Sequence, residues 1–151
     1  MKINRKKSII LVIFAPILII ILSLFILRLV HPFWIVPALP QNRSSESTIF
    51  LTMEDNSLTR YGATFIYHNE SDIDKMTGLA FTLQIRVLGV WHSILISPPS
   101  WKLIGFNIPA NGTFEQTINW SDLYGSLPNG RFRLVTNVNP NIYLTYEFSI
   151  R

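Results

Sequence analysis

From Ser8 to Leu27 the chain reads "SIILVIFAPILIIILSLFIL", 20 residues without a charged side chain. As a helix rising 1.5 Å per residue, such a run spans about 30 Å, the thickness of a bilayer's hydrocarbon core. Its apolar side chains lie all round the helix, which is a poor fit to an amphipathic helix on a membrane surface. A buried helix of that length would be out of place in a chain of 151 residues. Pro16 is tolerable in lipid. The expectation is a transmembrane helix over 8–30, behind a basic tail over 1–7.

Flanking cations set the orientation. Lys2, Arg5, Lys6 and Lys7 precede the apolar run, against Arg28 and the more distant Arg43 after it. The N-terminus is therefore expected in the cytoplasm and the C-terminal domain outside it. A cleaved signal peptide is the rival reading, with Val36 and Ala38 as its small-residue site. The run exceeds the usual h-region of about 7 to 15 residues, and Arg28 stands between it and Ala38, so an uncleaved signal anchor is favoured.

Charge looks different once it is located. Five of the 13 basic residues lie in the first 28 positions, which hold no acid, leaving eight basic residues against nine acidic in the remainder. That near-neutral remainder gives no footing for a nucleic-acid partner, despite the overall charge of +4. With no cysteine, disulfides, thiolate metal sites and thiol nucleophiles are excluded. An extracytoplasmic domain without disulfides tilts the source towards bacteria.

Residues 31–47, "HPFWIVPALPQNRSSES", read as an extended stalk. Pro32, Pro37 and Pro40 favour an open path, and Phe33 and Trp34 suit the membrane interface. The alternative, that the apolar part of this segment packs on the following domain, stays open.

From residue 48 the period becomes two. "LAFTLQIRV" (79–87) puts Leu79, Phe81, Leu83, Ile85 and Val87 on one face, with Ala80, Thr82, Gln84 and Arg86 on the other. "IYLTYEFSIR" (142–151) alternates in the same way, Ile142, Leu144, Tyr146, Phe148 and Ile150 inward. Shorter runs occupy 48–54, 59–68, 90–97, 113–120 and 130–138, and turn signals such as "EDNS", "NESD", "PANG" and "LPNG" separate them. Seven strands with no helix of any length between them predict an all-β antiparallel sandwich over 48–151, with a small barrel as runner-up.

"NWSDLYGSLPNGRFRLV" (119–135) is then a corner where the chain crosses between sheets. Gly125 and Gly130 permit unusual backbone angles, Pro128 fixes one, Trp120, Leu123 and Tyr124 are apolar plugs at the crossing, and Phe132 shares a face with Leu134 in the strand that follows. Nothing in it requires a substrate.

Four stretches, "GATFIYHN" (62–69), "AFTLQIRVLGVWHSI" (80–94), "IPANGTFEQTINWSDLYGSLPNGRFRLV" (108–135) and "YLTYEFSI" (143–150), resemble the bacterial immunoglobulin-like domains of exported and membrane-anchored proteins. The resemblance covers about residues 48–151 and implies a seven-strand sandwich used as a surface or accessory module, with no assigned catalytic residues. The chain departs from antibody-type domains in lacking inter-sheet cysteines, and Phe132 stands where a tyrosine corner would supply a hydroxyl.

The motifs of serine hydrolases, zinc peptidases and nucleotide-binding loops are absent. His31, His68 and His92 read as solvated or packed side chains, with His92 on an outer face. "NESDIDKMTG" (69–78) gathers Asn69, Glu70, Asp72 and Asp74 but fails the calcium-loop spacing at Met76 and Thr77, so a hydrated strand connection is favoured. Asn42, Asn69, Asn111 and Asn119 open Asn-X-Ser/Thr sequons, which in a bacterial chain are turn chemistry. "SPPSWKLIGF" is the remaining oddity: Pro98, Pro99, Trp101 and Phe106 form an apolar, proline-led loop, the candidate partner-binding site.

The function expected from these readings is a membrane-anchored extracytoplasmic immunoglobulin-like module. It would play a non-catalytic binding or accessory role at the cell envelope, without cofactor or metal. Its expected partners are the membrane, crossed once, and an envelope protein or polymer. The alternative is a small regulatory subunit whose transmembrane helix docks on a larger membrane protein.

Overall fold

Alternation of apolar and polar side chains makes one face of a strand adhesive, and two such faces closing on each other give a sandwich. The computed structural model describes residues 16–23, 35–38, 48–95, 103–139 and 142–151. The chain divides into two compact units, Met1–Trp34 and Ile35–Arg151. In the first, residues 16–23 are helical with their side chains exposed. They lie within the uncharged run, the rest of which falls outside the described residues, as does His31. Among the described residues no helix is long and apolar enough to cross a membrane.

The second unit holds nine strands among the described residues: β1 (Ile35–Pro37), β2 (Ile49–Met53), β3 (Gly62–Asn69), β4 (Lys75–Val87), β5 (Val90–Ile94), β6 (Gly105–Ile108), β7 (Gly112–Asn119), β8 (Gly130–Val138) and β9 (Ile142–Ile150). One sheet runs β2-β3-β7. The other runs β1-β5-β4-β8-β9, with β6 also pairing β4, and every pairing is antiparallel. The seven expected strands are all present. The strand expected from residue 59 begins at Gly62, because Thr59 Oγ1 accepts the N–H groups of Tyr61 and Gly62, both at 3.1 Å, and holds a turn there.

Two strands go beyond that expectation. β6 comes from the proline-led region. β1 comes from the expected stalk: Val36 pairs with Ser93 and the N–H of Ala38 donates to the Trp91 carbonyl at 3.1 Å. Residues 35–38 of that segment therefore belong to the sheet, and its other residues lie outside the described ones.

Between the sheets lie Ala63, Phe65 and Tyr67 of β3, Ile118 of β7, Phe81, Leu83 and Ile85 of β4, Phe132 and Leu134 of β8, and Leu144, Phe148 and Ile150 of β9, all buried. Tyr67 brings a hydroxyl into this layer and donates it to Gln116 Oε1 at 2.9 Å. Burial pushes that phenol above its ordinary range, offset in part by hydrogen bonding to Thr136 and Thr77.

Three positions depart from simple alternation. The β4–β8 ladder slips between Thr77, opposite Val138, and Phe81, opposite Thr136, so Gly78, Leu79 and Ala80 bulge and Leu79 is only half buried. Gln84, on the outer face as expected, is nevertheless 1% exposed, because Arg133 lies over it and donates Nε–H to its Oε1 at 2.9 Å. His92 does not join the outer face. The two-residue turn at Leu88 and Gly89, both at positive φ, sets Val87 opposite Val90 and hence His92 opposite Ile85, on the core side of β5.

Candidate functional site

The chain passes from the three-stranded sheet to the other sheet twice, after β3 and after β7, and the residues singled out by the sequence gather around these crossings and along one edge. At the crossing after β7, Trp120 is fully buried. Its indole N–H donates to the Arg60 carbonyl at 2.9 Å, and its ring stacks on Phe148 with centroids 5.4 Å apart. Phe148 in turn stacks on Phe132 at 5.8 Å. One helical turn, Ser121–Tyr124, follows and stops at Gly125, whose φ of 70° suits a residue without Cβ.

Tyr124 is buried against Phe81, and its hydroxyl accepts the Leu83 N–H at 3.3 Å. Burial raises that hydroxyl's pKa, opposed by the Leu83 bond. Pro128 is half buried, and Gly130 opens β8 beside the Phe132 ring. The Arg60 guanidinium ties the corner to the chain's end. It donates to the carbonyls of Leu127 at 2.9 Å and Arg151 at 3.1 Å, and to Asn129 Oδ1. Leu127, fully buried, is a plug that the sequence reading passed over because it sits in a turn signal.

At the crossing after β3 the chemistry is polar. Asn69 is 1% exposed, and its amide donates to the carbonyls of Ile73, Ile108 and Pro109 at 2.9, 3.2 and 3.0 Å. Asp74 accepts the Ala110 N–H at 2.8 Å and the Asn107 amide at 3.1 Å, and Asp72 accepts from Asn111 at 3.2 Å. The Ala110 bond first, then Asn107, holds the Asp74 carboxyl below its usual range. These acids clasp the loop between β6 and β7. Among the described residues no group of three or more metal-ligating side chains comes together. His68 is spent on Thr52, with its Nε2 2.8 Å from the hydroxyl oxygen, and on a parallel stack with Phe50 at 4.7 Å.

Of the expected partner loop, Pro98, Pro99 and Trp101 lie outside the described residues. Phe106 belongs to β6, where it is half buried and stacks on Phe114 at 5.2 Å. Just before it, Leu103 is fully exposed and Ile104 nearly half exposed. With Met76, Gly78, Ala80 and Asn139 they line an open depression of about 400 Å³ over the β4 bulge. Leu95 and Val36 are also exposed. This apolar edge is the candidate site. In the sequence the "KLIG" stretch that supplies it lies beside prolines and Trp101 of the same apolar character.

A second surface feature lies on the outer face of the large sheet. Arg133 stands over the Trp91 ring at 4.5 Å and Arg86 over it at 5.8 Å, while Arg131 pairs with Glu147 at 2.6 Å. Trp91 is half buried under these cations, its ring face turned to both guanidinium groups.

Two antiparallel sheets joined by crossings, with an aromatic corner and no converging set of reactive side chains among the described residues, define a domain of the immunoglobulin-like class. The chain belongs to the bacterial Ig-like domain family, whose model matches residues 45–149. No curated protein matches it. Family membership points to a non-enzymatic surface or binding module rather than to a reaction.

Proposed function

We propose that this protein is a single-pass membrane protein whose Ig-like domain stands outside the cytoplasm and serves a non-catalytic binding or accessory role at the cell envelope. The carrying observation is an order along the chain: 20 uncharged residues behind a basic tail, then residues 28–44, then an Ig-like domain over 45–149. The mechanism is presentation. Confinement near the bilayer raises the domain's effective concentration towards an envelope protein or polymer, so a modest surface suffices for binding.

A reporter fused after Arg151 tests the topology. The fusion is expected to be active only outside the cytoplasm, and a cytoplasmic signal would overturn the reading. Exchanging residues 8–27 for an unrelated spanning segment tests the role of the domain. Retained function assigns the work to the sandwich, whereas lost function with normal surface display assigns it to the helix as a docking subunit.

A further inference from the structure

We propose that the outer face of the large sheet, around Arg86, Trp91, Arg131 and Arg133, binds an acidic segment of a partner protein. The inference rests on the binding-module reading above and names the chemistry of the partner that such a module takes.

Strand register builds the cluster. Gln84 stands opposite Arg133 and Ile85 opposite Phe132, so the next residues along, Arg86 and Arg131, come side by side on the outer face. Trp91 is opposite Arg86 on β5, and Glu147 is opposite Arg133 on β9. Strands β4, β5, β8 and β9 contain one acid, Glu147, and Arg131 engages it at 2.6 Å. Three guanidinium groups against one carboxylate leave this face cationic, although the domain as a whole is close to neutral.

The cations are held in place. Arg133 and Arg86 converge on one indole, their guanidinium carbons 4.5 and 5.8 Å from the Trp91 ring centroid, and the electron-rich ring offsets part of their repulsion. Arg86 donates Nε–H to the Gly89 carbonyl at 3.2 Å, and Gln84 Oε1 accepts Nε–H from Arg133. Like charges side by side across a ladder cost stability. A local rule broken in this way is expected where a function needs it, and carboxylates from outside the chain would relieve the cost.

Residue type selects the partner. The exposed cations here are all Arg, and the lysine of these four strands, Lys75, is buried. Arg offers a planar fork that takes a carboxylate on two N–H groups, and Arg and Trp are the types enriched at protein interfaces, where Lys is depleted. That composition favours an acidic protein segment over a phosphate polymer.

The chain has no cysteine, so a single label can be placed beside the cluster. Ser149, exposed and opposite Arg131, carries an environment-sensitive fluorophore as Ser149→Cys, and Thr117→Cys, exposed on the three-stranded sheet, is the control. Full-length protein in neutral detergent is titrated with octaglutamate and, separately, with polyphosphate of equal charge.

The label at 149 is expected to respond saturably to octaglutamate, and the label at 117 to stay silent. Arg86→Gln, at an exposed position, is expected to weaken the response about fivefold, the size of one well-formed exposed ion pair. Glu147→Gln, which removes the face's own carboxylate, is expected to tighten it, a gain that misfolding could not produce. Silence at 149, an equal response at 117, or an unchanged midpoint in both variants overturns the site. A response at 149 to polyphosphate alone overturns the protein partner. Each of these failures leaves the membrane topology to the Arg151 fusion, which reports it independently.

Discussion

The two crossings out of the three-stranded sheet begin with the same device and are finished by opposite means. Asn69 and Asn119 each end a strand, and each Oδ1 accepts both the N–H and the hydroxyl of the serine two positions on: Ser71 at 3.1 and 2.6 Å, Ser121 at 2.9 and 2.7 Å. These are Asx turns written as Asn-X-Ser. After Asn119 the next residue is a tryptophan, and the connection is held by burying Trp120, Tyr124 and Leu127. After Asn69 the next residues are "ESDID", and the connection is held by the Asn69 amide and by Asp72 and Asp74. A connection rich in large apolar residues can be stabilised by the core, whereas a polar one must satisfy its own backbone carbonyls and N–H groups.

The contrast can be broken at either end. Trp120→Ala is expected to cost most, about 3–5 kcal/mol, because it opens a cavity against Phe148 and loses the bond to Arg60. Urea unfolding followed by circular dichroism measures it, and a loss under about 1 kcal/mol would show that the aromatic plug is dispensable.

Asn69→Ala is expected to cost about 1–3 kcal/mol, since it strips a buried donor from three carbonyls. Asn119→Ala, at an exposed turn, is expected to cost about 0.5–1 kcal/mol by the same assay. Equal losses at 69 and 119 would mean that the shared turn, and not the buried amide, carries the effect.

The smallest effect is electrostatic. The Asp74 carboxyl is held below its usual range, so its contribution is present above the ordinary aspartate pKa and is lost as pH falls through the depressed folded value. Asp74→Asn is expected to remove that part of the acid sensitivity below about pH 4. An NMR titration of Asp74 giving an ordinary pKa would refute it.

How much of this could be read from residues depends on the size of the signal. β4 and β9 alternate over many positions, and only one strand phase buries Phe81, Leu83 and Ile85, or Ile142, Leu144 and Phe148. The corner was legible for the same reason, since Trp120 and Phe132 have nowhere else to go. β1 and β6 were not legible, because three or four residues beside prolines show no period. Gln84 looked like a solvated outer residue, and only the strand neighbour Arg133 covers it, a relation that no local pattern encodes. Asn69 read as one member of an acidic loop. Its burial depends on carbonyls about 40 positions away, Ile108 and Pro109. The apolar edge was half legible: composition flagged "SPPSWKLIGF", but Phe106 turns inward while Leu103 and Ile104 stay out.

A bare β5 margin would offer unpaired N–H and C=O groups to any passing strand, the usual start of fibril-like growth. Three residues of the incoming chain occupy that margin, and Pro37, lacking an N–H, ends the row with a residue that cannot template another. The molecule thus seals a vulnerable border with a three-residue strand that precedes the rest of the sandwich, and needs no disulfide to do so.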